Sequence, residues 1–304
     1  MIVATYKKRL TKRKVHRGIF IGGMLSVALV NFAVFWVYVN IDSILMAFQL
    51  ETRLGTVWSL DNFRRFFDEF TQPQFEWMIA LRNTMLLFLV GTCLCLPLTF
   101  VFAYFMFKKV PFSKFFRVMF YLPSLISAAV LIGIFKYTFA ISGPVNELLS
   151  IITGSEVRIE FLTSADYAMS TMLLYCIWTG FGGNIVLLTG ALYRVPIDVL
   201  EYARLDGVGY VRELFQIIIP MIWPTLSTML IFNVSGMLGN QGPALLMTDG
   251  QYETTSFGLA MYHYVMGNQY NYPAAIGLCM TAVGFPITLL VKWVLDKIFP
   301  DVEY

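Results

Sequence analysis

Charge is what this sequence has least of. Only 13% of its 304 residues are Asp, Glu, Lys or Arg, against 58% hydrophobic residues, and a soluble core of that size would lack the polar surface to cover it. Five intervals hold no charged residue at all: Ile19–Ile41, Asn83–Phe107, Val118–Phe135, Tyr167–Tyr193 and Leu214–Thr248. A group that coupled transport to an ion gradient would have to sit in such an interval as an Asp, Glu or His, and none does. Histidine is nearly missing. His16 and His263 are remote from each other and stand in no ligand motif, so no metal site is read and no base is at hand for an intramembrane enzyme; the chain is expected to hold no catalytic residue and not to be an enzyme. Cys93, Cys95, Cys176 and Cys279 all lie in apolar segments and read as small free hydrophobes. No Gly-Lys dipeptide occurs, which excludes a P-loop and ATP binding of that kind by this chain. The net charge of +3 is too mild to point to nucleic acid.

What is present is membrane-spanning sequence. A helix crosses a hydrocarbon layer of about 30 Å with roughly 20 residues, and six such helices are predicted at about 19–41, 83–107, 118–140, 167–193, 216–239 and 273–297, within a permease domain spanning 19–299. Seven Lys or Arg residues, from Lys7 to Arg17, lie in a basic N-terminal segment, 1–18. The apolar run behind it is too long for a signal peptide and lacks a small-residue cleavage site, so a retained first helix is expected. With four positive residues in 108–117, three in 194–213 and two near the C-terminus, 16 of the 22 fall on one side of a six-helix topology. The positive-inside rule then places both termini in the cytosol, in a cell membrane. Residues 48–77 and 248–272, rich in aromatic and polar residues, read as outer segments, the first with a short interfacial helix and with Trp58 and Trp77 at headgroup level. Gly180, Gly182 and Gly183 would allow close helix approach.

The longest polar interval on the cytosolic side of that topology is PIDVLEYARLDGVGYVRELFQIIIPMIWP, residues 196–224. Asp198 followed by Glu201 reads as a capping-box-like helix start, and Asp206-Gly207 as the helix end, glycine accepting a left-handed backbone. Leu200, Ala203 and Val208 alternate with charged residues, so one face is expected to insert into a partner. Glu201, Ala203, Asp206, Gly207, Ile217, Pro220 and Pro224 fall at the spacing of the EAA loop of binding-protein-dependent ABC importer permeases, and the stretch most resembles the sugar-type permeases of that family. Tyr202 and Val208 stand where the family usually has Ala, Leu214 where it has Phe, and Ile219 where it has Leu, each keeping apolar character. The LDNF stretch at Leu60–Phe63, Ala80-Leu81-Arg82-Asn83-Thr84 and Pro123 in YLPSLIS resemble further elements of the same permeases and extend the likeness over most of the chain.

The resemblance implies an importer permease of type I. It implies a coupling loop at 196–215 that docks on cytoplasmic ATPase subunits through Glu201, Tyr202, Ala203, Asp206, Gly207, Val208 and Leu214. Two ATPase subunits binding the ATP, a homologous second permease subunit, an extracellular solute-binding protein and a carbohydrate solute are the implied partners, besides membrane lipid. No cofactor is expected in this chain. Aromatic rings suit sugar faces and amides suit hydroxyls, so Trp178, Asn184, Asn233 and Tyr264 are candidate pathway residues. Another polar solute such as a glycerol phosphate, or a receptor or structural subunit without transport, is the alternative.

Overall fold

The computed structural model describes residues 12–52, 55–72 and 76–299; the basic residues Lys7, Lys8 and Arg9 lie outside the described residues. Long apolar helices dominate, as the runs without charge require. They are α1 (Arg17–Ala47), α3 (Trp77–Phe107), α7 (Ala168–Leu192), α9 (Tyr210–Gly236) and α12 (Asn271–Ile298), each long and apolar enough to cross a membrane. A sixth candidate span is a pair of helices, α4 (Ser113–Leu125) and α5 (Ala128–Thr138), apolar enough when taken together and bent by 104° at their junction. The single third helix expected at 118–140 is therefore corrected to two. Pro123 removes a backbone donor inside α4, and the Ser124 hydroxyl donates to the Tyr121 carbonyl 2.7 Å away, competing with the helical ladder. Ile126 and Ser127 are then extended, with ψ of 142° and 134°.

The second and fifth spans start earlier than the charge pattern suggested, at Trp77 and Tyr210, because helices carry polar residues freely at the membrane surface. Both contain a wide turn just before a proline. Leu96 N donates to Gly91 O ahead of Pro97, and Ile219 N donates to Leu214 O ahead of Pro220. Such i→i+5 bonding lets the helix continue past a residue that cannot donate and whose ring crowds the carbonyl four residues back.

Two ends of the bundle are tied by different chemistry. At one end lies a hairpin the sequence reading did not expect, β1 (Gln49–Thr52) paired antiparallel with β2 (Gly55–Trp58), Gln49 opposite Trp58. The amphipathic helix α2 (Asp61–Phe70) follows. Asn62, buried, donates to Ala47 O at 3.3 Å and Gln49 O at 2.9 Å, which gives the LDNF stretch its physical purpose: one amide closes the exit of α1 onto the hairpin. Asn83, fully buried, likewise donates to Glu253 O at 2.7 Å and Thr255 O at 2.8 Å, and Thr84 accepts from Phe257 N at 3.2 Å. The Asn-Thr pair thereby fastens α3 to the segment leading into α11 (Phe257–Met266). Trp58 is exposed, but Trp77, the first residue of α3, is only 2% exposed and packs edge-on against Phe66 and face-on to Phe257, so its ring is held inside the chain rather than open at its surface.

Close helix approach is visible at two of the three glycines. A Cβ on Gly182 would lie 2.5 Å from Ser124 Cβ, and one on Gly180 would lie 3.2 Å from Cys95 Sγ, whereas Gly183 faces open space. At the other end a core of Phe100, Tyr104, Leu188, Leu192, Ile218 and Ile222 joins α3, α7 and α9. The Trp223 indole donates to Leu295 O at 3.1 Å and closes α12 onto the same end.

Candidate coupling site and transport pathway

Residues 196–215 lie at this second end. The helix α8 (Ile197–Leu205) starts after Pro196, whose backbone is extended at φ −60°, ψ 132°, and no side chain caps it. The expected capping box is corrected: with Ile197 already helical, Asp198 sits inside the first turn, where its carboxylate meets the positive end of the helix without closing a box. The helix end matches the expectation. Gly207 has φ +72°; its N–H donates to Arg204 O at 3.1 Å and the Val208 N–H to Ala203 O at 2.9 Å. These are the paired bonds of a Schellman termination, which needs a left-handed residue at that position.

Burial divides the helix into two faces, and not as the sequence suggested. Leu200 and Ala203, expected to insert into a partner, are 5% and 6% exposed and pack into their own chain, Leu200 against the core of α3, α7 and α9. Their periodicity signals a helix that must first be seated on its own bundle. The free face carries Glu201, Tyr202, Leu205, Asp206 and Gly207, all exposed, with Leu205 at 82%. Beyond the glycine, Tyr210, Val211 and Phe215 are exposed too, while Val208 and Leu214 are half-buried. Of the seven residues expected at the interface, Glu201, Tyr202, Asp206 and Gly207 are thus open to a partner, Val208 and Leu214 partly so, and Ala203 faces inward. Ile197, Leu205, Tyr210, Val211 and Phe215 join the exposed surface; the sequence signal for them is an apolar side chain on the polar side of the helical period. Lys108 and Glu213 form a buried ion pair beneath it, a contact between loops more than a hundred residues apart that one sequence does not announce.

The four pathway candidates are not brought together by any ring contact or hydrogen bond among the described residues. Trp178 on α7 is 43% exposed, stacks with Phe135 and meets Tyr175 edge-on. Asn184 on α7 and Asn233 on α9 are half-buried. Tyr264 on α11 belongs to an aromatic group, its ring 6.3 Å from Trp77 and 5.0 Å from Tyr272. It also lines a cavity of about 310 Å³ together with Glu76, Ala80, Thr255 and His263. Burial, reinforced by the Glu69 carboxylate, pushes its phenol above the ordinary tyrosine range. Glu69 itself is buried, accepts from Arg65 Nε at 2.7 Å and is hydrogen-bonded by the Tyr272 hydroxyl. That cluster pins α2 to α12.

Known proteins agree with this architecture. Residues 96–304 match the family described as binding-protein-dependent transport system inner membrane component. Protein LplB of Bacillus subtilis (strain 168) is 26% identical, over 90% of this chain and 87% of its own length. The polygalacturonan/rhamnogalacturonan transport system permease protein YteP of the same organism is 25% identical, over 86% of this chain and 83% of its own. Among solved structures, a chain of a bacterial alginate ABC transporter in complex with alginate pentasaccharide-bound periplasmic protein superposes with a TM-score of 0.82 at 22% identity, covering 96% of this chain and 99% of that one. That likeness is one of fold.

Proposed function

We infer the function from one premise: the chain belongs to the family of binding-protein-dependent transport system inner membrane components. We propose that it is one permease half of an ATP-driven importer, with both termini in the cytosol, and that the solute is a carbohydrate delivered by an extracellular binding protein. Two cytoplasmic ATPase subunits supply the energy, and a second, homologous permease completes the pathway. The names of relatives such as YteP, whose system transports polygalacturonan or rhamnogalacturonan, support the solute class.

One observation carries the coupling assignment. The helix α8 is seated on its own bundle by Leu200 and Ala203 and terminated by Gly207, while Glu201, Tyr202 and Leu205 are exposed, with nothing among the described residues to cover them. A helix held rigidly on one side and open on the other can receive a displacement and pass it on. Linkage then requires only that nucleotide favour one position of that helix over another, which biases the access of the pathway. The chain contributes no catalytic group; it contributes the lever and half of the conduit. Trp178, Asn184, Asn233 and Tyr264 remain the proposed groups along it, supplying ring faces and amides for hydroxyls.

The test is reconstitution. The chain, its second permease and the ATPase are co-expressed, placed in proteoliposomes and given binding protein with labelled oligosaccharide. Accumulation that requires ATP and the binding protein is expected. Accumulation without ATP, or none with a fully assembled complex across oligosaccharide and polyol solutes, would overturn the reading.

A further inference from the structure

The exposed coupling surface has a buried counterpart directly beneath it. Lys108 is the residue that ends α3, and Glu213 lies six residues past Gly207, in the first turn of α9. The side chains of Lys108 and Glu213 are 9% and 3% exposed and form an ion pair. It is held by charge rather than by an aligned hydrogen bond, and no other polar atom among the described residues reaches Nζ. The ammonium is flanked by two rings, 5.6 Å from the centroid of Tyr104 and 5.7 Å from that of Tyr210. The Tyr104 hydroxyl lies 3.3 Å from Glu213 Oε1 and 3.4 Å from the Tyr210 carbonyl oxygen, and its one proton can be donated to either.

The four residues come from two places only, the last turn of the second span and the turn that follows the coupling helix. A charge buried away from water is tolerated when its counter-charge stays beside it, so neither Lys108 nor Glu213 can move without the other. Elsewhere α8 is seated by apolar packing, which is non-directional and permits sliding. The ion pair, by contrast, is specific to one partner, because separating two buried charges is costly, and it joins the segment to one particular span. We propose that Lys108 and Glu213 are positioning residues for transport, the joint through which displacement of the coupling segment is delivered to α3 and hence to the access state of the pathway. The proposal rests on the importer reading above.

The experiment uses the complete complex in proteoliposomes and measures solute accumulated per ATP hydrolysed, together with the stimulation of hydrolysis by loaded binding protein. Glu213→Gln keeps the shape and removes the counter-charge. It is expected to leave the ATPases bound, lower uptake per ATP at least tenfold and flatten the stimulation, and the exchange Lys108→Glu with Glu213→Lys is expected to recover most of both. A pair that merely stabilised the fold would lower the yield of complex while leaving uptake per ATP unchanged in what assembles; that outcome overturns the proposal. Where Glu213→Gln does not assemble, Tyr104→Phe removes a single hydroxyl from the joint; a lowered ratio supports the proposal and an unchanged one overturns it. Wild-type complex without ATP-dependent uptake would instead refute the importer reading, separating the two failures.

Discussion

Gly207 offers the sharpest test of the coupling helix, because a second glycine two residues away provides its control. Gly207 holds φ +72° and donates to Arg204 O at 3.1 Å. Alanine there enters the left-handed region at a cost of about 1 kcal/mol. Proline cannot reach that φ at all and lacks the N–H, so lost hydrogen bonding of about 1 kcal/mol adds to backbone strain of about 2 kcal/mol. Gly209 has φ −72° with nothing within 4 Å of an added Cβ, so Gly209→Ala is expected to be neutral. The cost at Gly207 falls on the termination that aims Glu201 and Tyr202 outward. If it is taken wholly from docking, Gly207→Ala weakens association with the ATPase about fivefold and Gly207→Pro about a hundredfold. The assay is titration of purified ATPase onto the permease pair in nanodiscs, with uptake measured in parallel and membrane insertion checked by yield. A graded series, Gly209→Ala equal to wild type, then Gly207→Ala, then Gly207→Pro, is expected. Equal loss from Gly207→Ala and Gly209→Ala, or normal docking by Gly207→Pro, would refute the argument.

Further outcomes are expected elsewhere in the chain. Leu200→Ala removes a side chain only 5% exposed in its own core and should lower the unfolding free energy of the detergent-solubilised chain by about 3 kcal/mol, whereas Tyr202→Asp, on a side chain 67% exposed, should change stability by less than about 0.5 kcal/mol yet abolish ATPase docking. The two variants separate seating from coupling. Asn83→Ala deletes two donors to the Glu253 and Thr255 carbonyls and is expected to destabilise by about 2–3 kcal/mol, seen as earlier thermal unfolding and as faster proteolysis in 248–256. Gly182→Ala drives a Cβ to 2.5 Å from Ser124 Cβ and should cost about 1–3 kcal/mol; Ser124→Gly should restore most of it, measured by thermal unfolding of the double variant.

The parts of this molecule legible in its sequence are those set by one dimension of chemistry. A run without charge longer than a membrane is thick reads as a span, and the positions of such runs agree to within several residues with the five long apolar helices. Gly207 was legible because a left-handed helix termination has few residue solutions. The faces of α8 were not, because Leu200 and Ala203 announce only that one side is covered; whether by another chain or by their own bundle is a fact about three dimensions. The same holds for Trp77, where an indole near a predicted membrane boundary is compatible with headgroup and core alike until Phe66 and Phe257 are seen around it.

The broken third span shows most clearly why composition alone overreaches. From Val118 to Phe135 the sequence is uncharged and mostly apolar, and a hydropathy argument joins the two halves. A bilayer tolerates extended backbone only where protein covers its polar groups. Ile126 and Ser127 are extended, and beside them Ser124 meets Gly182 so closely that no larger residue fits at position 182. The glycine in the fourth span and the end of α4 in the third are packed as one feature: α7 lies against Ser124 because position 182 carries no side chain, while Ser124 and Ser127 themselves stay exposed. Pro123 weakens the helix there, and the Gly182 contact sets where α4 ends against α7. It follows that the bend should depend on position 182 as much as on position 123. Pro123→Ala alone is expected to leave the corner in place, since the contact of Ser124 with position 182 remains. Gly182→Leu is expected to open it, detected as a change in distance between spin labels on α4 and α5. A corner abolished by Pro123→Ala and untouched by Gly182→Leu would place its cause in the proline instead.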